Sequence, residues 1–264
     1  MARQLQKQLM QNMMNKVPAV TVAFWVAKTF ATTVGETAAD YLNQTFHLGL
    51  TNTSFIMGGM LSVALLVQLM RRSYVPIIYW IVVVLISVVG TLISDNLVDN
   101  FGVPLWVSTC IFSAGLMTVF AWWFASERTL SVHTICRTRR ELFYWAAILF
   151  TFSLGTSAGD LAGEQFGLGY AVSLGLFVGL IAVVALAYYV FKINAVLAFW
   201  AVYILTRPLG ASAGDLLSQP QHAGGLGLGT TWTSLAFVIV IAMITVWMTT
   251  QQRRERRSEA KPTV

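Results

Sequence analysis

Four tryptophans, each followed at fixed distances by a glycine and an aspartate, constrain this chain more than any other feature. Trp25, Gly35 and Asp40 are echoed by Trp80, Gly90 and Asp95, by Trp145, Gly155 and Asp160, and by Trp200, Gly210 and Asp215. The spacing Trp-x9-Gly-x4-Asp therefore recurs four times without a gap. An aromatic precedes every Trp, as Phe24, Tyr79, Tyr144 and Phe199. A Phe follows the Asp by six residues in three units, as Phe46, Phe101 and Phe166, where the fourth has Gln221. Trp25 and Trp80 are 55 residues apart, as are Trp145 and Trp200, and the two pairs are offset by 120. A period of this kind means that one supersecondary unit has been copied and that the copies stack to bury a shared core. The unit here reads as a two-helix hairpin, duplicated twice.

The helices must be membrane helices. The chain is 56% hydrophobic and 11% charged, with mean hydropathy +0.68, whereas soluble domains carry about 25% charged residues. A water-soluble globular enzyme is excluded. Runs near bilayer-spanning length fall at about 17–40, 53–70, 75–95, 103–124, 142–160, 168–190, 194–215 and 230–250. The predicted fold is all-α, a polytopic integral membrane protein of eight transmembrane helices built from four parallel two-helix repeats. Residues 1–16 form a cytoplasmic amino-terminal segment with no cleavable-signal pattern. Residues 17–250 form a single membrane domain, with repeats at about 17–72, 73–128, 138–192 and 193–250, and 251–264 are a basic cytoplasmic tail. Because each unit holds two spans, every copy enters the membrane in the same direction, and the symmetry axis runs along the membrane normal. The motif-bearing odd helices are expected at the centre, and the plainly apolar even helices against lipid.

Basic residues orient the chain. Arg3, Lys7, Lys16, Arg71, Arg72, Arg128, Arg137, Arg139, Arg140, Lys192 and the Arg253 to Lys261 tail all fall on one side. By the positive-inside rule that side is the cytoplasm. The net charge of +6 is thereby accounted for without a nucleic-acid partner. Two cysteines, Cys110 and Cys136, make neither a disulfide framework nor a paired metal motif. No phosphate loop, nucleophile elbow, HExxH or CxxC is present, so the chain is read as a non-enzyme without a cofactor beyond a bound divalent cation or protons.

From Phe24 to the eighth helix, the fourfold pattern resembles a family of bacterial inner-membrane proteins described as four tandem two-helix repeats, each with a characteristic Trp. The resemblance implies a multi-pass inner-membrane protein and carries no activity, since the family's function is unknown. The fourth unit departs from the pattern, with QPQHAGGLGLG replacing the Phe-Gly connector.

The candidate chemistry lies in the motif helices. Asp40, Asp95, Asp160 and Asp215 share one depth, about 28 Å along each helix from its cytoplasmic start. Ionisable groups at such depth usually face a bundle interior or a water-filled cavity. Four residues earlier, on the same helical face, come Glu36, Thr91, Thr156 and Ala211, and Ser94 adjoins Asp95. Carboxylates and hydroxyls suit hard cations such as Mg2+, Mn2+ or Ca2+, and crowded carboxylates equally suit protons. With only His47 and His222 on that side, a soft-metal site is not expected. Glu36, Asp40, Asp95, Asp160 and Asp215 are the metal or proton candidates, with Thr91 and Thr156 as auxiliary ligands.

Lys28 and Arg207 are single-copy charges inside spans, aligned with Tyr203 and Thr32 of the opposite terminal units. Arg207, beside the helix-interrupting Pro208, is expected to pair with Asp40, Glu36 or Asp160. Lys28, about 12 Å along the helix from Glu36, serves as an inner gate or counter-charge, or else snorkels to the interface. The repeated Trp is expected at the interface or in helix packing, and the repeated Gly in close helix approach. The function expected is a transporter moving a hard cation or proton-coupled solute through an acidic vestibule. The alternative is a non-transporting structural or sensory protein whose Asp residues cap helix ends. The partners are the bilayer and the transported ion, and a homodimer is compatible with the pattern.

Overall fold

A computed structural model describes residues 15–44 and 49–259. Residues before 15, residues 45–48 with Phe46 and His47, and Lys261 lie outside the described residues. Eight long helices alternate in role: α1 (Val22–Gln44), α2 (Gly49–Met70), α3 (Pro76–Asp95), α4 (Leu105–Glu127), α5 (Thr138–Asp160), α6 (Gly169–Val190), α7 (Ala195–Ser218) and α8 (Thr230–Glu259). Helix α3 starts on Pro76, which tolerates a first turn because its missing N–H is unpaired there anyway. Helix α7 starts on Asn194, whose side chain accepts from the N–H groups of Val196 and Leu197.

Seven of these helices, α2 through α8, are long and apolar enough to cross a membrane. Helix α1 matches them in length but carries Lys28, Glu36 and Asp40, and its place in the ring described below makes it their equivalent. The chain is thus a multi-pass membrane protein of four two-helix units. Several boundaries differ from the sequence expectation, by four residues at Gly49 and Thr138 and by more at the two chain ends. The first helix begins at Val22 rather than 17, and the extended stretch before it tucks Lys16, Val17 and Pro18 inward, in keeping with the extended bias of a residue that precedes proline. The last helix continues into the basic tail as far as Glu259.

The odd helices form a closed ring in which α1 packs on α3, α3 on α5, α5 on α7, and α7 back on α1. The even helices lie outside, and each packs chiefly on the inner helix of the following unit: α2 on α3, α4 on α5, α6 on α7, and α8 on α1. The hairpins are therefore interlocked like overlapping tiles. Each outer helix buries a single narrow stripe, such as Thr53, Met57, Leu61 and Gln68 on α2 or Ser108, Phe112, Leu116 and Trp123 on α4. The rest of its surface, Phe55, Val63 and Leu66 or Trp106, Met117 and Trp122 among them, is exposed and suits contact with lipid.

The repeated glycines set the ring's diameter. A β-carbon on Gly35 would collide with Ser87, one on Gly90 with Phe152, one on Gly155 with Arg207, and one on Gly210 with Thr32. In every case the obstacle is the residue three before the next unit's glycine. Bare backbone at these points lets neighbouring helices touch, the small-residue device of membrane helix packing.

Candidate functional site

The axis of the ring is filled by stacked layers, one from each motif position. The lowest is aromatic. Phe24 stacks on Phe199, Trp25 and Trp80 surround them, and Tyr79 and Tyr144 meet hydroxyl to hydroxyl at 2.5 Å. Trp80, Trp145 and Trp200 are nearly fully buried. Trp25 is partly buried against the same core, so the repeated Trp packs between helices, which is the helix-packing half of its expected role.

Above the aromatic layer sits Lys28, fully buried. Its ammonium donates to the Tyr203 carbonyl at 2.7 Å and to the Thr206 hydroxyl. It also lies 4.2 Å from the centre of the Tyr203 ring and 5.5 Å from that of Phe152. Snorkelling to the interface is excluded by this burial; a carbonyl, a hydroxyl and two ring faces hold the charge instead.

One layer higher, Arg207 crosses the axis from α7, also fully buried. Its Nη2 donates to Glu36 at 2.9 Å, to Thr156 at 2.7 Å and to the Thr91 hydroxyl, and its Nη1 donates to the Thr32 carbonyl at 3.2 Å. The ion pair joins α7 to α1, with Glu36 one of three partners named from sequence. Thr91 and Thr156 therefore face the guanidinium. The three oxygens Glu36 Oε2, Thr91 Oγ1 and Thr156 Oγ1 surround a single nitrogen that has two protons to give.

At the acidic end, Glu36, Asp160 and Asp215 each offer a carboxylate oxygen within 4.8 Å of the others. They come from α1, α5 and α7, so three inner helices meet at one cluster consistent with cation coordination. The four repeated Asp residues do not share one point. Asp40 accepts from the Gln219 side chain at 3.4 Å, and Asp95 stands half-buried beside the cluster, within electrostatic range of Glu36 and Asp40. Glu164 is exposed nearby and acts on Asp160 and Asp215. Below Asp95 and Asp160 the hydroxyls of Ser94, Ser157 and Ser108 form a chain at 2.7 and 2.9 Å.

Asp95 and Asp160 end the α-helical part of α3 and α5, but the helical path continues past both. Each is followed by a π-helical turn, Asn96–Asn100 and Leu161–Gln165, and neither makes a side-chain bond that caps that turn. The two turns close identically, Phe101 N–H on the Asn96 carbonyl and Phe166 N–H on the Leu161 carbonyl, with Gly102 and Gly167 both at φ +66°. π-turns of this kind are rare and concentrate at functional sites. Pro208 packs against Gly155, and by lacking an N–H it leaves the Ile204 carbonyl without its usual donor.

A second buried ion pair, not apparent from the sequence, lies at the other end of the ring. Lys16 and Glu141 meet at 2.7 Å at the aromatic end, both almost wholly buried. Gln68 donates to the other Glu141 oxygen at 3.0 Å and Lys16 donates to the Leu69 carbonyl at 3.0 Å. From sequence Lys16 reads only as a topogenic charge. The available signal was that Glu141 is a lone acid inside the basic run CRTRREL, where the other units have Thr21, Pro76 and Val196.

No curated protein and no solved structure matches this chain. A repeat family does, at residues 23–74, 78–129, 143–194 and 198–254, each match beginning one residue before the aromatic–Trp pair and extending into or past the end of the following outer helix. With most of its length accounted for in this way, the chain belongs to the family defined by the Repeat of Unknown Function (DUF347) and carries four copies of that repeat.

Proposed function

We propose that this protein is a membrane transporter for a hard cation or a proton-coupled solute, with Glu36, Asp160 and Asp215 as the primary binding group and Asp40 and Asp95 lining the approach. The observation that carries the reading is the convergence of three carboxylates from three inner helices within 4.8 Å. Acids are expensive in a membrane domain and mark ion pathways more often than architecture. Glu36 strengthens the argument, since the other units fold with Thr91, Thr156 or Ala211 at that position. The acids act in binding and not in catalysis. Lys28 and Arg207 are the counter-charges that close the axis beneath them, so passage requires these layers to move. The basic residues at the aromatic end support an orientation with that end in the cytoplasm, in a bacterial inner membrane. The competing reading, helix-end caps in a non-transporting protein, draws no support from Asp95 and Asp160, which make no such caps.

Reconstitution into liposomes tests the reading. Wild-type protein takes up Mn2+, Mg2+, Ca2+ or H+ above empty vesicles, and Glu36→Gln and Asp160→Asn each slow that flux about tenfold or more while expression holds, the size expected when one charged ligand is lost. Flux no greater than that of empty vesicles for all four ions overturns it.

A further inference from the structure

We infer that the Arg207 guanidinium is a tethered stand-in for the transported cation, occupying the oxygen set of Glu36, Thr91 and Thr156 and leaving it when the ion arrives. This rests on the cation-binding reading of Glu36 and adds how that site is regulated.

The geometry around Nη2 is that of a coordination shell. Three oxygens, Glu36 Oε2, Thr91 Oγ1 and Thr156 Oγ1, surround a nitrogen that has only two protons, so acceptors outnumber donors. The buried Nε of the same guanidinium has no hydrogen-bond partner among the described residues. Apart from the Thr32 carbonyl on Nη1, the acceptors crowd on one nitrogen, whereas a site evolved only to hold arginine would spread them over the fork, because a guanidinium offers five N–H groups in a fixed plane. The oxygens are also spaced as ligands are. Thr91 Oγ1 lies 3.4 Å from Glu36 Oε2 and 3.4 Å from Thr156 Oγ1, close to the separation of about 3.4 Å between adjacent ligands in an octahedron whose metal–oxygen bonds are about 2.4 Å. Those bonds are Ca2+-like, and a smaller ion draws the oxygens inward.

The surroundings explain how exchange would proceed. Glu36 is shared: it holds Arg207 at 2.9 Å and belongs to the carboxylate group with Asp160 and Asp215. A cation arriving through those aspartates competes with the guanidinium for Glu36 and then for the two threonine hydroxyls. Without an ion, Arg207 neutralises Glu36 and keeps the axis shut. Its helix supplies the freedom to move, since Pro208 removes a backbone bond one residue along. No other unit carries a cation at this position, where Thr32, Ser87 and Phe152 stand.

The test is binding of Mn2+ and of Ca2+, each alone, to the purified full-length protein by calorimetry, alongside uptake in liposomes. Arg207→Ala is expected to bind the ion about tenfold or more tightly, because a fixed positive charge beside the ligands is gone, yet to transport it more slowly. Adding free guanidinium chloride at low millimolar concentration, against sodium chloride as control, weakens binding again by refilling the vacated slot. Thr91→Val with Thr156→Val keeps the ion pair but removes two ligands, and lowers ion affinity while leaving Arg207 in place. Unchanged or weaker binding by a folded Arg207→Ala protein overturns the inference while wild-type binding preserves the transport reading. Should Arg207→Ala fail to fold, unaltered affinity in the double threonine variant overturns it instead. Absence of binding by wild type and variants alike removes both the inference and the reading beneath it.

Discussion

Lys28 shows how a membrane domain can hold a charge without an acid. Placing a lysine at mid-span costs about 2.5–3.5 kcal/mol. Against that stand two hydrogen bonds, to the Tyr203 carbonyl and the Thr206 hydroxyl, worth about 0.6–1.7 kcal/mol each, and a cation–π contact 4.2 Å from the Tyr203 ring worth about 1–2 kcal/mol. These terms come close to cancelling. Lys28→Met, which keeps the carbon stem and its packing, should therefore shift stability in detergent by no more than about 1–2 kcal/mol while impairing ion uptake. Thermal unfolding and liposome flux measured on the same preparation check this; a large stability loss would make Lys28 a strut and not a gate. That both spans held an unmatched cation was legible from the repeat, because alignment exposes any residue three units do without. The partner of Lys28 was not legible: a backbone carbonyl and two rings leave no mark in a search for opposite charge. Glu141 escaped for the converse reason, since its basic neighbours offered partners close by and concealed Lys16, 125 residues away.

At the scale of helices, the apolar runs mark out all eight long helices, seven of them long and apolar enough to cross a membrane, and the reading falls short at the first helix start and where polar sequence continues a helix. The π-turns after Asp95 and Asp160 carry Asp99 and Glu164, so a hydropathy reading ends the helix at the repeated Asp, one turn early. The sequence assigns the repeated glycine to close packing, but which helix it touches depends on ring order. The contacts now fix a contrast. A β-carbon on Gly90 would approach Phe152 and come within 3.2 Å of the Ser153 backbone nitrogen, whereas Gly58 and Gly175 have nothing within 4 Å. Gly90→Val must push α3 from α5 and is expected to cost about 1–3 kcal/mol or more, as overpacking does. Gly58→Val and Gly175→Val on the outer helices should be silent. Melting temperatures of the three variants in one detergent decide the matter, and equal shifts in all three would mean that the ring is not held by glycine contacts.

For the whole molecule, the fourfold pattern implies units repeated about one axis, and the four inner helices close into a ring. Which outer helix covers which inner one was hidden, because α2, α4, α6 and α8 are almost uniformly apolar and present similar faces. The structure answers with an offset of one unit, and α8 closes the circle on α1. Two seams follow from dividing the chain between Arg128 and Thr129: α3 and α4 against α5 on one side, α7 and α8 against α1 on the other. Both buried ion pairs cross this division, since Lys16 and Glu36 lie in the first half and Glu141 and Arg207 in the second. A half made alone retains an unpaired buried charge at each seam, and breaking such a pair costs about 3–5 kcal/mol. The halves 1–128 and 129–264, expressed together, should therefore assemble and copurify through a tag on either one, with the Lys16–Glu141 and Glu36–Arg207 pairs restored. Expressed singly, each should be degraded or aggregate. A half that is stable, monodisperse and helical on its own would show that the two-unit pair, and not the closed ring of four, is the folding unit, and the carboxylate cluster shared by α1, α5 and α7 would then be a product of later docking.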